Sequence, residues 1–108
     1  MSFPSATDAL TQALQQLTDS DRVNAKTFRN AILKTLTDMG CCVRSEVLVA
    51  NRGDNHRGKV DLVVDTPFQA AIELDNVLPR YKSIFKLRQF QCERFVLLRQ
   101  NPQVVLIV

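Results

Sequence analysis

Histidine, glycine and cysteine are scarce in this sequence of 108 residues, which contains one, three and three of them. The single histidine, His56, cannot support a convincing Ser-His-Asp arrangement. None of the glycines has the G-x-G or P-loop spacing that cradles phosphates. Cys41, Cys42 and Cys92 lack the ligand spacing of zinc sites, so we expect three reduced thiols. These shortages argue against triad hydrolases, nucleotide-binding loops and zinc proteins.

Long apolar segments are also missing. No run of about 18 apolar residues is present, so the sequence predicts no transmembrane helix and no membrane partner. The first residues, MSFPSATDALTQ, lack the basic and apolar regions of a secretion signal, and we expect a cytoplasmic protein. Hydrophobic residues make up 45% and charged residues 23%. This composition predicts one globular domain over residues 1–108, with residues 1–20 as an N-terminal helical extension.

The net charge of +3 is unevenly distributed along the chain. Residues 1–79 carry 8 Lys and Arg against 10 Asp and Glu, whereas residues 80–108 carry 6 against 1. A basic segment beside an acidic one fits a polyanionic ligand, and nucleic acid is the expected partner. An ordinary solvated surface would give the same distribution, so charge alone leaves both interpretations open.

Hydrophobic periodicity predicts the element order ααβββαββ. Apolar residues at i, i+3 and i+4 indicate two helices, and capping boxes begin at Ser5 and Thr18. A change to period two then predicts three strands, a helix and two final strands. The predicted elements cover residues 7–17, 21–39, 42–50, 59–65, 68–75, 79–90, 94–98 and 104–108. A three-strand meander followed by a helical crossover predicts an α+β fold, with a mixed central sheet of about five strands flanked by helices.

Three carboxylates lie at the ends of two neighbouring predicted strands. Asp61 is on the second strand, and Glu73 and Asp75 share one face of the third. A hairpin about residues 65–67 would place Asp61 across from about Glu73. Carboxylates on one face repel each other unless a positive group lies between them, and Mg²⁺ or Mn²⁺ prefers such oxygen ligands. The spacing therefore indicates a divalent metal site, with a solvated polar strand face as the alternative.

The segments GKVDLVV at 58–64 and AIELDN at 71–76, in this order of elements, resemble the PD-(D/E)XK superfamily of restriction-endonuclease-like proteins. The resemblance covers about residues 21–100. It implies a mixed sheet flanked by helices and Mg²⁺-dependent cleavage of DNA or RNA phosphodiesters. It also implies that Asp61 and Glu73 are the metal ligands, joined by the backbone carbonyl after Glu73.

The sequence departs from the family pattern at Asp75, where most members have a lysine that orients or activates the attacking water. Some branches, including relatives of the very-short-patch repair endonuclease, also carry an aspartate here. Lys82 and Lys86 lie one turn apart on the following predicted helix, and we expect them to replace the lysine or to bind phosphate. Lys59 shares a strand face with Asp61. Asp75 would act as a third metal ligand or position water.

Further candidates surround these residues. Glu46 on the first strand is either an extra acidic ligand or a surface residue. The long hairpin loop at 51–58 carries His56 and basic residues that either reach a nucleic acid or are disordered. The candidate contacts to nucleic acid, with DNA as the expected form, are Arg52, Arg57, Lys59, Arg80, Lys82 and Lys86.

Two functions are thus compatible with the sequence. The first is a small metal-dependent nuclease with Mg²⁺ or Mn²⁺ as its cofactor and with these catalytic residues: Asp61, Glu73, Asp75, Lys82 and Lys86. The second is a non-catalytic member of the same fold that binds nucleic acid or protein. The apolar final strand at 104–108 would allow this second, non-catalytic form to be a homodimer.

Overall fold

Residues 5–108, which the computed structural model describes, form three α-helices and five strands in the predicted order ααβββαββ. The elements are α1 (Ala6–Gln15), a 3-10 turn (Ser20–Arg22), α2 (Ala25–Asp38), β1 (Cys42–Val49), β2 (Gly58–Thr66), β3 (Ala70–Asp75), α3 (Tyr81–Leu87), β4 (Glu93–Leu98) and β5 (Gln103–Leu106). The start of the predicted N-terminal extension, residues 1–4, lies outside the described residues.

Helix α2 begins four residues later than the sequence predicts. Thr18 and Asp21 do form reciprocal caps, with the Thr18 N–H donating to Asp21 Oδ2 at 2.9 Å, but they enclose the 3-10 turn. A separate cap, Asn24 Oδ1, accepts from the Thr27 N–H at 2.8 Å and starts α2 at Ala25. Two successive caps therefore set the position at which α2 begins.

The five strands form one mixed sheet in the order β1-β2-β3-β4-β5. Strands β3 and β4 are parallel and are joined by α3, whereas the other neighbouring strands are antiparallel. Helices α1 and α2 cover one face, where Phe28 and Ile32 join a buried cluster with Ile72 and Phe95. Helix α3 covers the other face through Leu87. The predicted α+β architecture, a mixed sheet of about five strands flanked by helices, is confirmed.

The side-chain alternation of β2 breaks at Asp61. Strict alternation along the strand would place Val60, Leu62 and Val64 on one face of the sheet, and the structure departs from it. Leu62 and Val64 pack beneath α1 and α2, whereas Val60 packs in the cluster beneath α3. On β1, the register places Glu46 opposite Asp61, and Glu46 has a φ of 53°. In both strands the apolar side chains therefore switch from one face of the sheet to the other beside the predicted carboxylate site.

The helices of the described residues are shorter than a membrane span. Within residues 5–108, no helix combines the length and apolar character needed to cross a bilayer. The longest of these helices, α2, has 14 residues, whereas a helical span needs about 20.

Candidate active site

Asp61 and Glu73 meet at the point where β2 separates from β3. Backbone pairing between these strands ends at Leu62 and Ile72, and one further step in the same register brings Asp61 opposite Glu73, as predicted. Beyond this point, hydrogen bonds to side chains replace the backbone hydrogen bonds between the two strands. The Asp61 N–H donates to Glu73 Oε2 at 2.9 Å, and the Leu74 N–H donates to Asp61 Oδ2 at 2.9 Å. A backbone amide of the opposite strand thus anchors each carboxylate.

Lys86 of α3 completes a cluster with these two carboxylates. Its Nζ forms an ion pair with Glu73 Oε1 and donates to the carbonyl of Lys59 at 2.9 Å. The Glu73 side chain is 1% exposed and that of Lys86 is 14% exposed, so the pair is shielded from water. Of the two lysines expected on this helix, Lys86 reaches the carboxylates. The Nζ of Lys82 lies instead 3.7 Å from Oδ2 of Asp54 in the β1–β2 loop.

Burial makes Glu73 difficult to ionise. Desolvation and the neighbouring Asp61 carboxyl raise the pKa of Glu73 to about 8, against the opposing effect of Lys86. Its Oε1 is buried and lies against the Lys86 ammonium, which is its charge-assisted partner. A buried carboxyl that lies beside a second carboxyl still costs the fold stability. Such groups cluster at functional sites, where the chemistry requires them.

Asp61 and Glu73 supply the type of oxygen that a divalent cation would need. Asp61 uses Oδ2 and Glu73 uses Oε2 for backbone hydrogen bonds, so Asp61 Oδ1 lies outside these bonds, whereas Glu73 Oε1 is paired with Lys86. Two carboxylates suffice for Mg²⁺, because it takes its remaining ligands from water and phosphate. Among residues 5–108, no group of three or more His, Cys, Asp and Glu side chains could hold a metal by itself. Any such site therefore depends on solvent or substrate oxygens.

The structure does not join Asp75 to Asp61 and Glu73 in a three-carboxylate group. The Asp75 side chain is completely buried. It accepts hydrogen bonds from the Arg80 N–H at 2.9 Å, from Arg80 Nε at 2.8 Å and from Ser83 Oγ at 2.9 Å. These bonds occupy both oxygens and tie the end of β3 to the start of α3. In place of the expected ligand or water-positioning role, the geometry gives Asp75 a role in positioning α3.

The six expected nucleic-acid contacts differ in their surroundings. Four of them form ion pairs within the protein: Arg52 and Lys82 with Asp54, Arg80 with Asp75, and Lys86 with Glu73. Arg57 and Lys59 are exposed and form no ion pair within residues 5–108. The loop that carries Arg52 and Arg57 is held next to the C-terminal end of α3, because Gln89, two residues after the helix, donates through Nε2 to the carbonyl of Asn51. His56 is exposed on the same loop.

Two basic residues that sequence reasoning missed lie beside Asp61. Lys26 and Arg29, near the start of α2, line a cleft together with Ala25, Asp61 and Leu74. The sequence carries no signal for them, because the helix is predicted to begin at residue 21, which would place both residues beyond its first turn. Their proximity to Asp61 follows only from the packing of α2 near β3. Arg29 also binds the exposed Glu46 at 3.2 Å, which places Glu46 at the protein surface.

Comparison of the chain with models of known protein families, with characterised proteins and with solved structures finds no match. Function is therefore inferred from the chemistry of the site. Two carboxylates and a lysine, supplied by three different elements, can hold a hard cation and an anionic group side by side.

Proposed function

We propose that this protein is a metal-dependent nuclease that hydrolyses phosphodiester bonds in nucleic acid, with DNA as the first substrate to test. The observation that carries the proposal is the cluster of Asp61, Glu73 and Lys86 at the split between β2 and β3. Bringing charged groups out of water costs stability, and a cluster that persists despite this cost is a candidate catalytic site. The proposal also draws on the restriction-endonuclease-like resemblance, which rests on the two sequence segments and the element order.

Each member of the cluster has a distinct role in this proposal. Asp61 Oδ1 and Glu73 Oε1 would hold Mg²⁺ or Mn²⁺, with the cation taking the place of the present contact between Glu73 Oε1 and Lys86. When bound, the cation would supply Lewis acidity and lower the pKa of a bound water. Lys86, fixed by the carbonyl of Lys59, orients the attacking water or neutralises an oxygen of the phosphate.

The positions of Asp75 and Lys86 explain how the site dispenses with a lysine on β3. Asp75 binds Arg80 and Ser83 at the start of α3 and so fixes that helix against the sheet. Lys86 lies three residues after Ser83, on the next turn, and extends to Glu73. The ammonium group thereby approaches the acidic residue of β3 from the helix above it.

The test is a cleavage assay on plasmid, single-stranded and branched DNA, with Mn²⁺, with Mg²⁺ or with EDTA. We expect metal-dependent cleavage by the wild type and a loss of more than about 100-fold in Asp61→Ala, because outer-shell changes alone cost about 10- to 100-fold. Asp65→Ala is the matched control, since Asp65 is on the same strand but binds Arg44. Lys86→Ala should also lose about 100-fold, whereas Lys82→Ala should not.

A second readout separates metal binding from turnover. Mn²⁺ should raise the thermal unfolding midpoint of the wild type and of Asp65→Ala, because a ligand that binds only the folded state stabilises it. The midpoint of Asp61→Ala should not respond. Cleavage that survives Asp61→Ala would contradict the assignment of the nuclease site to Asp61 and Glu73. A folded wild type that cleaves none of the substrates would contradict it too, and would favour the non-catalytic binding module of the same fold.

A further inference from the structure

We propose, on the basis of the proposed nuclease function, that Lys26 and Arg29 form a phosphate-binding wall beside Asp61. A nucleic-acid backbone that reaches the carboxylates would pass between this wall and the end of β3. Lys26 and Arg29 would thus contact phosphate groups and define the path by which the nucleic acid approaches Asp61.

The shape of the surface supports such a path. The cleft lined by Lys26, Arg29 and Asp61 also has Ala25 and Leu74 in its walls. Ala25 and Leu74 line a second cleft as well, together with Phe28, Asp75, Asn76, Arg80 and Arg99. The shared residues place the two clefts side by side. They form a groove that runs from Asp61 past the end of β3.

The charges of this groove fit a polyanion. Its lining contains four cations and two anions: Lys26, Arg29, Arg80 and Arg99 against Asp61 and Asp75. Asp75 is completely buried and bound to Arg80, which offsets its charge. Lys26 is exposed and forms no ion pair within residues 5–108. Phosphate groups are the anions that such a row of side chains positions on a nucleic acid.

The location of Lys26 and Arg29 adds to this case. Lys26 lies in the first turn of α2, where the helix dipole is unfavourable to cations and no residue is acidic, and Arg29 lies one turn further along. Glu46 offsets Arg29 at 3.2 Å, whereas Lys26 has no such partner in the described part of the chain. A bound phosphate would offset both cations and would itself be favoured by the dipole.

The experiment measures DNA binding in EDTA, so that cleavage does not interfere. Fluorescence anisotropy of a labelled duplex, roughly two helical turns long, is recorded for the full chain over a range of salt concentrations. The double variant Lys26→Ala/Arg29→Ala should lose about tenfold or more in affinity at low salt. The slope of log K against log salt should fall by about 2, because each phosphate contact contributes about 0.9.

Lys34→Ala is the matched control for the loss of a positive charge. Lys34 lies on the same helix, is exposed and binds Asp38, away from the groove. We expect its affinity and salt slope to equal those of the wild type. Unfolding midpoints of all variants verify that each one is folded.

Glu46→Gln tests whether Arg29 acts only through its ion pair. This change releases Arg29, so binding should be unchanged or tighter, whereas Arg29→Ala should weaken it. An equal loss in both variants would overturn the proposal for Arg29. A double variant that binds like Lys34→Ala would overturn the whole wall, even if the wild type cleaves DNA. Conversely, a specific loss of binding in the double variant would support the wall even if no cleavage is found.

Discussion

Glu73 and Asp75 lie two residues apart on β3, and both are buried, yet their surroundings differ. Glu73 is paired with Lys86 and lies beside the second carboxyl of Asp61, whereas Asp75 accepts three hydrogen bonds from the start of α3. Their spacing predicts a shared face, and both do contact α3. It could not predict the partners, because those come from a helix whose placement depends on tertiary packing. Hydrogen bonds that tie a carboxylate to the next helix indicate a structural role, whereas a buried acid with a raised pKa beside a second carboxyl is a candidate for chemistry.

Asp75→Asn should therefore destabilise the protein without removing the metal site. The amide loses one acceptor oxygen and the charge that binds Arg80, and we expect the free energy of unfolding to fall by about 2 kcal/mol. Ser83→Ala, which removes one of the three hydrogen bonds, should cost about 1 kcal/mol. Urea denaturation measures both. An Asp75→Asn variant of unchanged stability that no longer responds to Mn²⁺ would instead make Asp75 a ligand.

At the scale of elements, the sequence predicted the type and order of each helix and strand, but not the details at their junctions. Predicted boundaries are closest where turn residues or a change of period mark them, as at Cys42 and Asp75. The start of α2 differed because a second cap at Asn24 follows the first. The change of face at Asp61 was missed because a carboxylate of the neighbouring strand binds its amide, a contact that strand periodicity does not encode.

Gly58, the first residue of β2, links the β1–β2 loop to the proposed site. A Cβ atom at Gly58 would lie 2.7 Å from the Cβ of Arg52 and 3.2 Å from the Cδ of Lys86. Gly58→Ala should therefore cost about 1–3 kcal/mol and displace Lys86, which lowers cleavage per folded molecule. Gly40→Ala is the control, since a Cβ there meets nothing within 4 Å and the cost comes only from a φ of 95°. Equal cleavage by the two folded variants would contradict this link between β2 and Lys86.

At the scale of the whole molecule, the site is assembled from parts of the chain that are far apart in sequence. Asp61, Glu73 and their approximate pairing could be predicted, because a short hairpin fixes the register. The choice of Lys86 over Lys82 and the position of Lys26 could not, because helices α3 and α2 lie on opposite faces of the sheet and packing alone determines their positions. Local pattern thus predicts the carboxylates, whereas tertiary packing supplies the cations around them.

The buried carboxyl of Glu73 should make the stability of the whole protein depend on pH. The pKa of Glu73 is about 8 in the folded state, whereas a glutamate without neighbours has a pKa of 4.5. Between these two pH values the folded chain holds a proton that the unfolded chain has released. The favourable contribution of Glu73 is complete below pH of about 4.5 and is lost as the pH rises through about 8. Without divalent cations, the unfolding midpoint of the protein should therefore decrease as the pH rises from about 5 to about 8. Each kcal/mol of stability lost through Glu73 should lower the midpoint by about 4–8 °C.

Glu73→Gln isolates this effect, because the amide is neutral at every pH and keeps an oxygen that can accept from the Asp61 N–H. Its unfolding midpoint, measured in EDTA, should decline less over this range than that of the wild type. Asp65→Asn is the control. The Arg44 guanidinium lowers the pKa of Asp65 below 3.8, so Asp65 is ionised in both states throughout the range and its replacement should leave the slope unchanged. Equal slopes for Glu73→Gln and the wild type would contradict a raised pKa at Glu73, and the cluster would then hold an ordinary carboxylate that Lys86 fully neutralises.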